Sequence, residues 1–263
     1  MKQLKNDMYA CGQAGPPKEF TGNGKQWKLD TLFKHDFFAC TARYKCNDTN
    51  ELAVLKINRI RGFLGLPLRW IGRMLCRREL NILGQLQDLD QVPQLICPFA
   101  QTGFVYQYIE GQSLDEKPAV PDSFFDDLVQ LLNEIHQRHI CYVDANKRGN
   151  ILLGEDGRPH LIDFQISLFL PSNWGRRLRH LFQREDRYHI LKHKRKLRPD
   201  LLTDEEKKNL SQVSWPIRLH RTITGPLRDL RRALLRYLYK KDVLKSDSTT
   251  ERSPENDPRR FLK

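Results

Sequence analysis

The chain has 263 residues, 39% hydrophobic and 29% charged, enough for one large domain or two small lobes around a real core. That composition excludes a disordered tail and a disulfide-stapled mini-protein. Lys and Arg number 45 against 32 Asp and Glu, a formal net charge of +13, which points to anionic partners.

The six cysteines (Cys11, Cys40, Cys46, Cys76, Cys97, Cys141) are scattered, with no C-x-x-C pair and no His nearby at zinc-ligand spacing. Neither a disulfide framework nor a structural zinc is expected, and a reducing compartment is the default. No run approaches the roughly 18 apolar residues of a membrane span, and the polar start Met1 to Asp7 lacks the apolar core of a secretion signal. The expectation is a cytoplasmic protein, with peripheral contact at the inner face of a membrane as its extension.

Residues 1–25, with Gly12, Gly15, Pro16, Pro17 and Gly22, read as an irregular lead-in. From Trp27 to Lys45 aromatic and β-branched residues predict two strands, and Glu51 to Ile57 a third after the Asn47-Asp48-Thr49-Asn50 turn. Pro67 opens a helical pattern in which Leu68, Ile71, Leu75, Leu83 and Leu86 form the apolar stripe and Arg69, Arg73 and Arg77 take other faces. Glu79 lies on that stripe, where an unpaired carboxylate would cost several kcal/mol, so a partner is expected.

Gly103 to Ile109 reads as a strand, and Glu110-Gly111-Gln112 as a turn that could serve as a hinge. Asp122 or Ser123 can cap a helix carrying Phe124, Leu128, Leu131, Leu132 and Ile135, running to about Arg138. Ile151-Leu152-Leu153 and His160-Leu161-Ile162 flank a Gly154-Glu155-Asp156-Gly157 turn and make a hairpin. Asp144 and Asn150 precede it and Asp163 follows, so three oxygen-bearing side chains can gather at one end, a donor set suited to Mg²⁺ and phosphate.

These pieces, Ile135 to Asp144, Asn150 to Leu153 and Leu161-Ile162-Asp163-Phe164, resemble the catalytic core of the protein kinase-like superfamily. Ala53-Val54-Leu55-Lys56 is similar to its lysine-bearing strand. The resemblance implies an α+β, two-lobed kinase-like fold: a lead-in over 1–25, a small antiparallel-sheet lobe over 26–110, a reduced, mainly helical lobe over 111–245, and a frayed tail over 246–263. It implies ATP and Mg²⁺ as cofactors, with Lys56 on the α/β phosphates and Glu79 as its ion-pair partner. It further implies Gln107 and Tyr108 at the adenine, Asn150 and Asp163 on Mg²⁺, Asp144 accepting the acceptor hydroxyl's proton, and Lys147 on the moving phosphoryl group.

The sequence departs from that pattern in four places. Asp144 precedes Asn150 by six positions where the familiar loop has five, so the extra residue, worth up to about 3.5 Å of chain, bulges outward or Asp144 is not the base. Tyr142 and Val143 stand where His and Arg are usual, and Gln165 where glycine follows Asp-Phe. No glycine-rich loop precedes Lys56; the first turn reads His35 to Thr41. Without an Ala-Pro-Glu motif, the large lobe looks more like RIO-type and bacterial lipopolysaccharide-core kinases. Asp186 is expected to begin a helix, either tethering the catalytic loop or capping.

The reading is an ATP- and Mg²⁺-dependent phosphotransferase acting on a protein Ser/Thr or on the sugar of an anionic glycolipid; the alternative is a pseudokinase that serves as an interaction module. From Pro171 to Lys245, 21 Lys/Arg face 8 Asp/Glu, a surface suited to phosphate and carboxylate groups. The stretch from Pro67 to Leu86, with Leu68, Trp70 and its arginines, could rest on a membrane. Nucleic acid is not expected as a partner, because the basic segment lacks interleaved aromatics.

Overall fold

The computed structural model describes residues 7–63, 65–171 and 175–211. They divide into two compact units. The first takes the described residues up to Gly84 together with Pro93–Tyr108, and the second takes Gln85–Val92 with the described residues from Ile109 onward.

In the first unit six strands, β1 (Glu19–Gly22), β2 (Lys25–His35), β3 (Ala39–Cys46), β4 (Leu52–Asn58), β5 (Leu95–Phe99) and β6 (Gly103–Gln107), form one antiparallel sheet in the order β1-β2-β3-β4-β6-β5. The strand β1 lies inside the Gly/Pro-rich lead-in, anchored by Phe20, whose ring meets Tyr44 edge-on at 4.9 Å. Ala53 to Asn58 of β4 are all buried, which is why this strand reads as a near-continuous apolar run instead of alternating.

Helix α1 (Arg69–Gly84) packs on β4 and β6 and turns Gly72, Cys76, Glu79, Ile82 and Leu83 inward. That face is one residue round from the expected stripe, and Ile71 and Leu75 are only half-buried. Gly72 sets the rotation: a Cβ there would come within 2.0 Å of the Arg59 carbonyl oxygen, so a small residue must face this close backbone approach.

The second unit holds β7 (Gly111–Ser113), α2 (Phe124–Gln137), β8 (Ile140–Cys141), β9 (Ile151–Gly154), β10 (Pro159–Leu161), β11 (Leu168–Phe169), α3 (Arg176–Leu197) and α4 (Asp204–Ser211). The expected hairpin is β9–β10, and β7 adds to the other side of β9. Gly111 and Gln112 therefore belong to a strand. Helix α2 buries Phe124, Phe125, Leu128, Leu131, Leu132 and Ile135, with Ser123 at its N-cap position but making no side-chain cap bond.

Helix α3 buries Gln183, Asp186, Ile190, His193 and Lys194. The spacing is helical, yet the stripe is mostly polar, so hydrogen bonds fix this helix where apolar packing usually would. The architecture is α+β in two lobes, an antiparallel sheet with one helix and a mainly helical second unit. Residues 212–263, which carry the rest of the basic third and the expected tail, lie outside the described residues.

Candidate active site

In the first unit, Lys56 sits on β4 opposite Thr41 of β3 and Phe104 of β6. Its ammonium donates to Glu79 Oε1 of α1 at 2.8 Å, and both side chains are buried. The charge expected on the helix thus has its partner. Burial pushes the neighbouring Cys76 thiol up to about 11, helped by the Glu79 charge.

Gln107 ends β6 with its N–H donating to the Gln94 carbonyl at 2.8 Å. Tyr108 follows, its N–H donating to the Leu52 carbonyl at 3.1 Å. The Tyr108 ring stacks on Phe33 with 5.9 Å between centroids, and the Arg43 guanidinium lies 5.0 Å from it.

In the second unit, Asp144, Lys147 and Asn150 meet. Asn150 Nδ2 donates to Asp144 Oδ2 at 2.9 Å, and Lys147 Nζ reaches the same oxygen at 2.5 Å. The amide orientation leaves the Asn150 side-chain oxygen for a cation. The additional residue is absorbed by a turn closed by Lys147 N–H donating to the Asp144 carbonyl at 3.0 Å, with Asn146 exposed at its tip.

Burial raises the Asp144 carboxyl above the usual aspartate range, with the Asp163 charge adding to it and Lys147 and Asn150 opposing. Asp163 has φ 60° and Val143 φ 70°. Asp144 N–H donates to the Tyr142 carbonyl at 2.8 Å, closing a γ-turn around Val143. A β-branched residue at positive φ stores strain, which persists only where surrounding contacts over-determine it.

Those contacts come from Asp186. It lies mid-way along α3, fully buried, and accepts from Tyr142 N–H at 2.9 Å and Val143 N–H at 2.8 Å. His136 Nε2 is 3.0 Å from Oδ2 of the same carboxylate. Asp186 is therefore a tether; it neither begins nor caps the helix.

Sequence reasoning missed three supports. The Tyr142 hydroxyl donates to the Ile162 carbonyl and, at 3.4 Å, to that of Asn150. Burial first, and then the Asp144 and Asp163 charges, push this phenol well above its ordinary range, so it stays a neutral donor. Ser167 Oγ donates to the Tyr142 carbonyl at 2.9 Å, and the Tyr142 and Phe164 rings meet edge-on at 5.0 Å. His193 Nε2 lies 2.8 Å from the Ala145 carbonyl, holding the turn that carries the additional residue. Only Tyr142, at a position that departs from the familiar loop, carried a signal in the sequence.

Three comparisons bear on this geometry. A Rio2 kinase from Chaetomium thermophilum, solved as an ADP/Mg²⁺-phosphoaspartate complex, superposes with a TM-score of 0.50 at 16% identity, covering 70% of this chain and 62% of that one. The chain has a protein kinase-like fold. An Aurora kinase of Schizosaccharomyces pombe is 33% identical over 95 residues, 36% of this chain, and the chain spans about a quarter (26%) of its length. No protein-family model matches. Among the described residues no helix is long and apolar enough to cross a membrane.

Proposed function

We propose that this kinase-like chain is an ATP- and Mg²⁺-dependent phosphotransferase with a hydroxyl acceptor. The observation that carries the reading is the Asp144 cluster: a buried carboxylate bonded to Lys147 and Asn150 on a loop tied down by Asp186. Such preorganisation suits a reaction in which positioning and charge neutralisation do most of the work.

The donor set fits magnesium. Asn150 and Asp163 offer hard oxygen atoms, and the mutual influence of Asp144 and Asp163 marks a place where added positive charge is favourable. Asn150 and Asp163 would hold Mg²⁺, which when bound neutralises phosphate charge. Lys56, fixed by Glu79, would pair with the α/β phosphates, and Gln107 and Tyr108 would meet the adenine. Asp144 would take the acceptor proton as the new O–P bond forms and the bond to ADP breaks, with Lys147 on the transferring phosphoryl group.

An anionic glycolipid fits the acceptor better than a protein Ser/Thr. Leu66, Trp70 and Met74 are 62%, 60% and 51% exposed, and Trp70 and Met74 stand one turn apart on α1. Arg69, Arg73 and Arg77 run alongside, and α1 has no acidic residue in its first turn. A cation at the positive end of a helix dipole costs about 0.3–1 kcal/mol, so helix stability does not account for Arg69, the first residue of α1. An exposed Trp among arginines suits an anionic membrane surface, which would bring the chain to a lipid-borne sugar.

The test is transfer of labelled γ-phosphate in a lysate separated into protein, lipid and carbohydrate fractions. Label in the lipid or carbohydrate fraction that is lost with Asp163→Ala supports the reading. Label in protein alone overturns the glycolipid acceptor. Thermal stabilisation by Mg-ATP without turnover on any fraction would replace the enzyme with a nucleotide-binding interaction module.

A further inference from the structure

Cys11 is far in sequence from His35 and Cys40 but lies beside them in space. His35 ends β2 and Cys40 is its cross-strand partner in β3. Cys11 arrives from the N-terminal segment, which crosses the hairpin through Ala10 N–H donating to the Asp36 carbonyl at 2.7 Å. Ile60 N–H donates in turn to the Ala10 carbonyl at 3.0 Å. One sulfur or ring-nitrogen atom from each of the three lies within 4.8 Å of the others, and among the described residues this is the group of three such donors that could hold an ion. No zinc set was expected from spacing along the chain, because Cys11 joins the cross-strand pair His35 and Cys40 only through the fold.

The chemistry is that of a borderline-soft metal. Both thiols are buried and His35 is half-buried. His35 Nε2 accepts from Cys11 N–H at 3.2 Å, so the imidazole is neutral at that nitrogen, and a metal bound there takes the place of this N–H bond. The Tyr9 ring rests against the imidazole, 4.9 Å between centroids. Two thiolates, a neutral imidazole and a divalent ion sum to zero charge, which suits a buried site. A tetrahedral zinc with Zn–S about 2.3 Å holds its sulfurs about 3.8 Å apart, within the span observed.

We propose that Cys11, His35 and Cys40 bind one Zn²⁺ ion, leaving a fourth position for water on the half-exposed His35 side. The ion staples residues 9–11 to the β2–β3 hairpin. If the hairpin turn covers the nucleotide phosphates, the staple also fixes that cover; this consequence rests on the phosphotransfer reading, whereas the metal site does not.

The experiment uses the full chain, purified with reductant, loaded with Zn²⁺ or Co²⁺ and dialysed. Elemental analysis is expected to find one zinc per chain, and the cobalt form to show thiolate charge-transfer and tetrahedral d–d bands. Cys11→Ser and His35→Gln each weaken metal retention at least tenfold, while Cys97→Ser leaves it unchanged. Zinc raises the melting temperature of the wild type and of neither ligand variant; if Cys11→Ser does not fold, His35→Gln at the half-exposed position decides. No retained metal, retention unchanged in both variants, or a Cys11–Cys40 disulfide in protein isolated without oxidant overturns the site. Because the readout is metal content, its failure leaves the phosphotransfer reading standing, and loss of phosphotransfer leaves the metal result intact.

Discussion

Asn150 hands its side-chain amide to the Asp144 carboxylate at 2.9 Å although it lies six positions further along the chain. The turn at Asn146 takes up the surplus chain, so the pair keeps its contact. In the proposed reaction Asp144 accepts a proton and so must be ionised, and its carboxyl is held above the ordinary aspartate value of 3.8 by burial and by Asp163. The acidic limb of kcat/KM is therefore expected above pH 3.8. Lys147→Ala should move that limb higher still, since the ammonium favours the ionised form, and Asp144→Asn should lower kcat by about 10²–10⁴-fold. A pH profile of the wild type and both variants checks all three.

Lys56 and Glu79 form a buried ion pair. Removing one partner strands the other charge, at a cost of about 3–5 kcal/mol, whereas replacing both with apolar residues is often neutral. Lys56→Met is expected to lower stability by that amount, and Lys56→Met with Glu79→Leu to recover most of it. Neither restores phosphotransfer. Urea unfolding alongside ATP turnover separates the structural from the functional part of the pair.

His193 is buried against the Ala145 carbonyl, and burial lowers its pKa from 6.5 to about 4, with Lys192, Arg148 and Lys196 adding to the effect and Ala145 opposing. The unfolded chain then binds more protons between those values. The stability from neutral His193 is complete above about pH 6.5 and lost as pH falls toward 4, amounting to at most about 3 kcal/mol. Urea unfolding at pH 7 and pH 5 should show a steeper acid loss for wild type than for His193→Gln.

Asp186→Asn keeps the shape but lets at most one side-chain oxygen accept where two now serve Tyr142, Val143 and His136. With the strained Val143 turn released, kcat should fall more than KM rises, and stability should drop by about 1–3 kcal/mol. Steady-state kinetics with thermal unfolding tests this.

The elements legible in the sequence are those whose signal is local. The Ala53-Val54-Leu55-Lys56 strand, the α2 stripe from Phe124 to Ile135 and the β9–β10 hairpin around its Gly154–Gly157 turn all carry their own periodicity or turn chemistry. Helix α1 was legible as a helix but not in its rotation, because Gly72, with no side chain to count as apolar, sets the buried face. The Asp186 tether and the His193 contact belong to a polar buried stripe on α3, which apolar patterning cannot register. Strands β8 and β11 have two residues each, too few for any pattern.

The most direct measurement of the central claim is cation-dependent transfer of the ATP γ-phosphate by wild type and Asp163→Ala, with thermal stabilisation by Mg-ATP read in parallel. The account predicts turnover that requires the divalent ion and disappears in the variant, which still folds. Equal turnover by Asp163→Ala, or stabilisation of wild type with no transfer to any acceptor fraction, would contradict it.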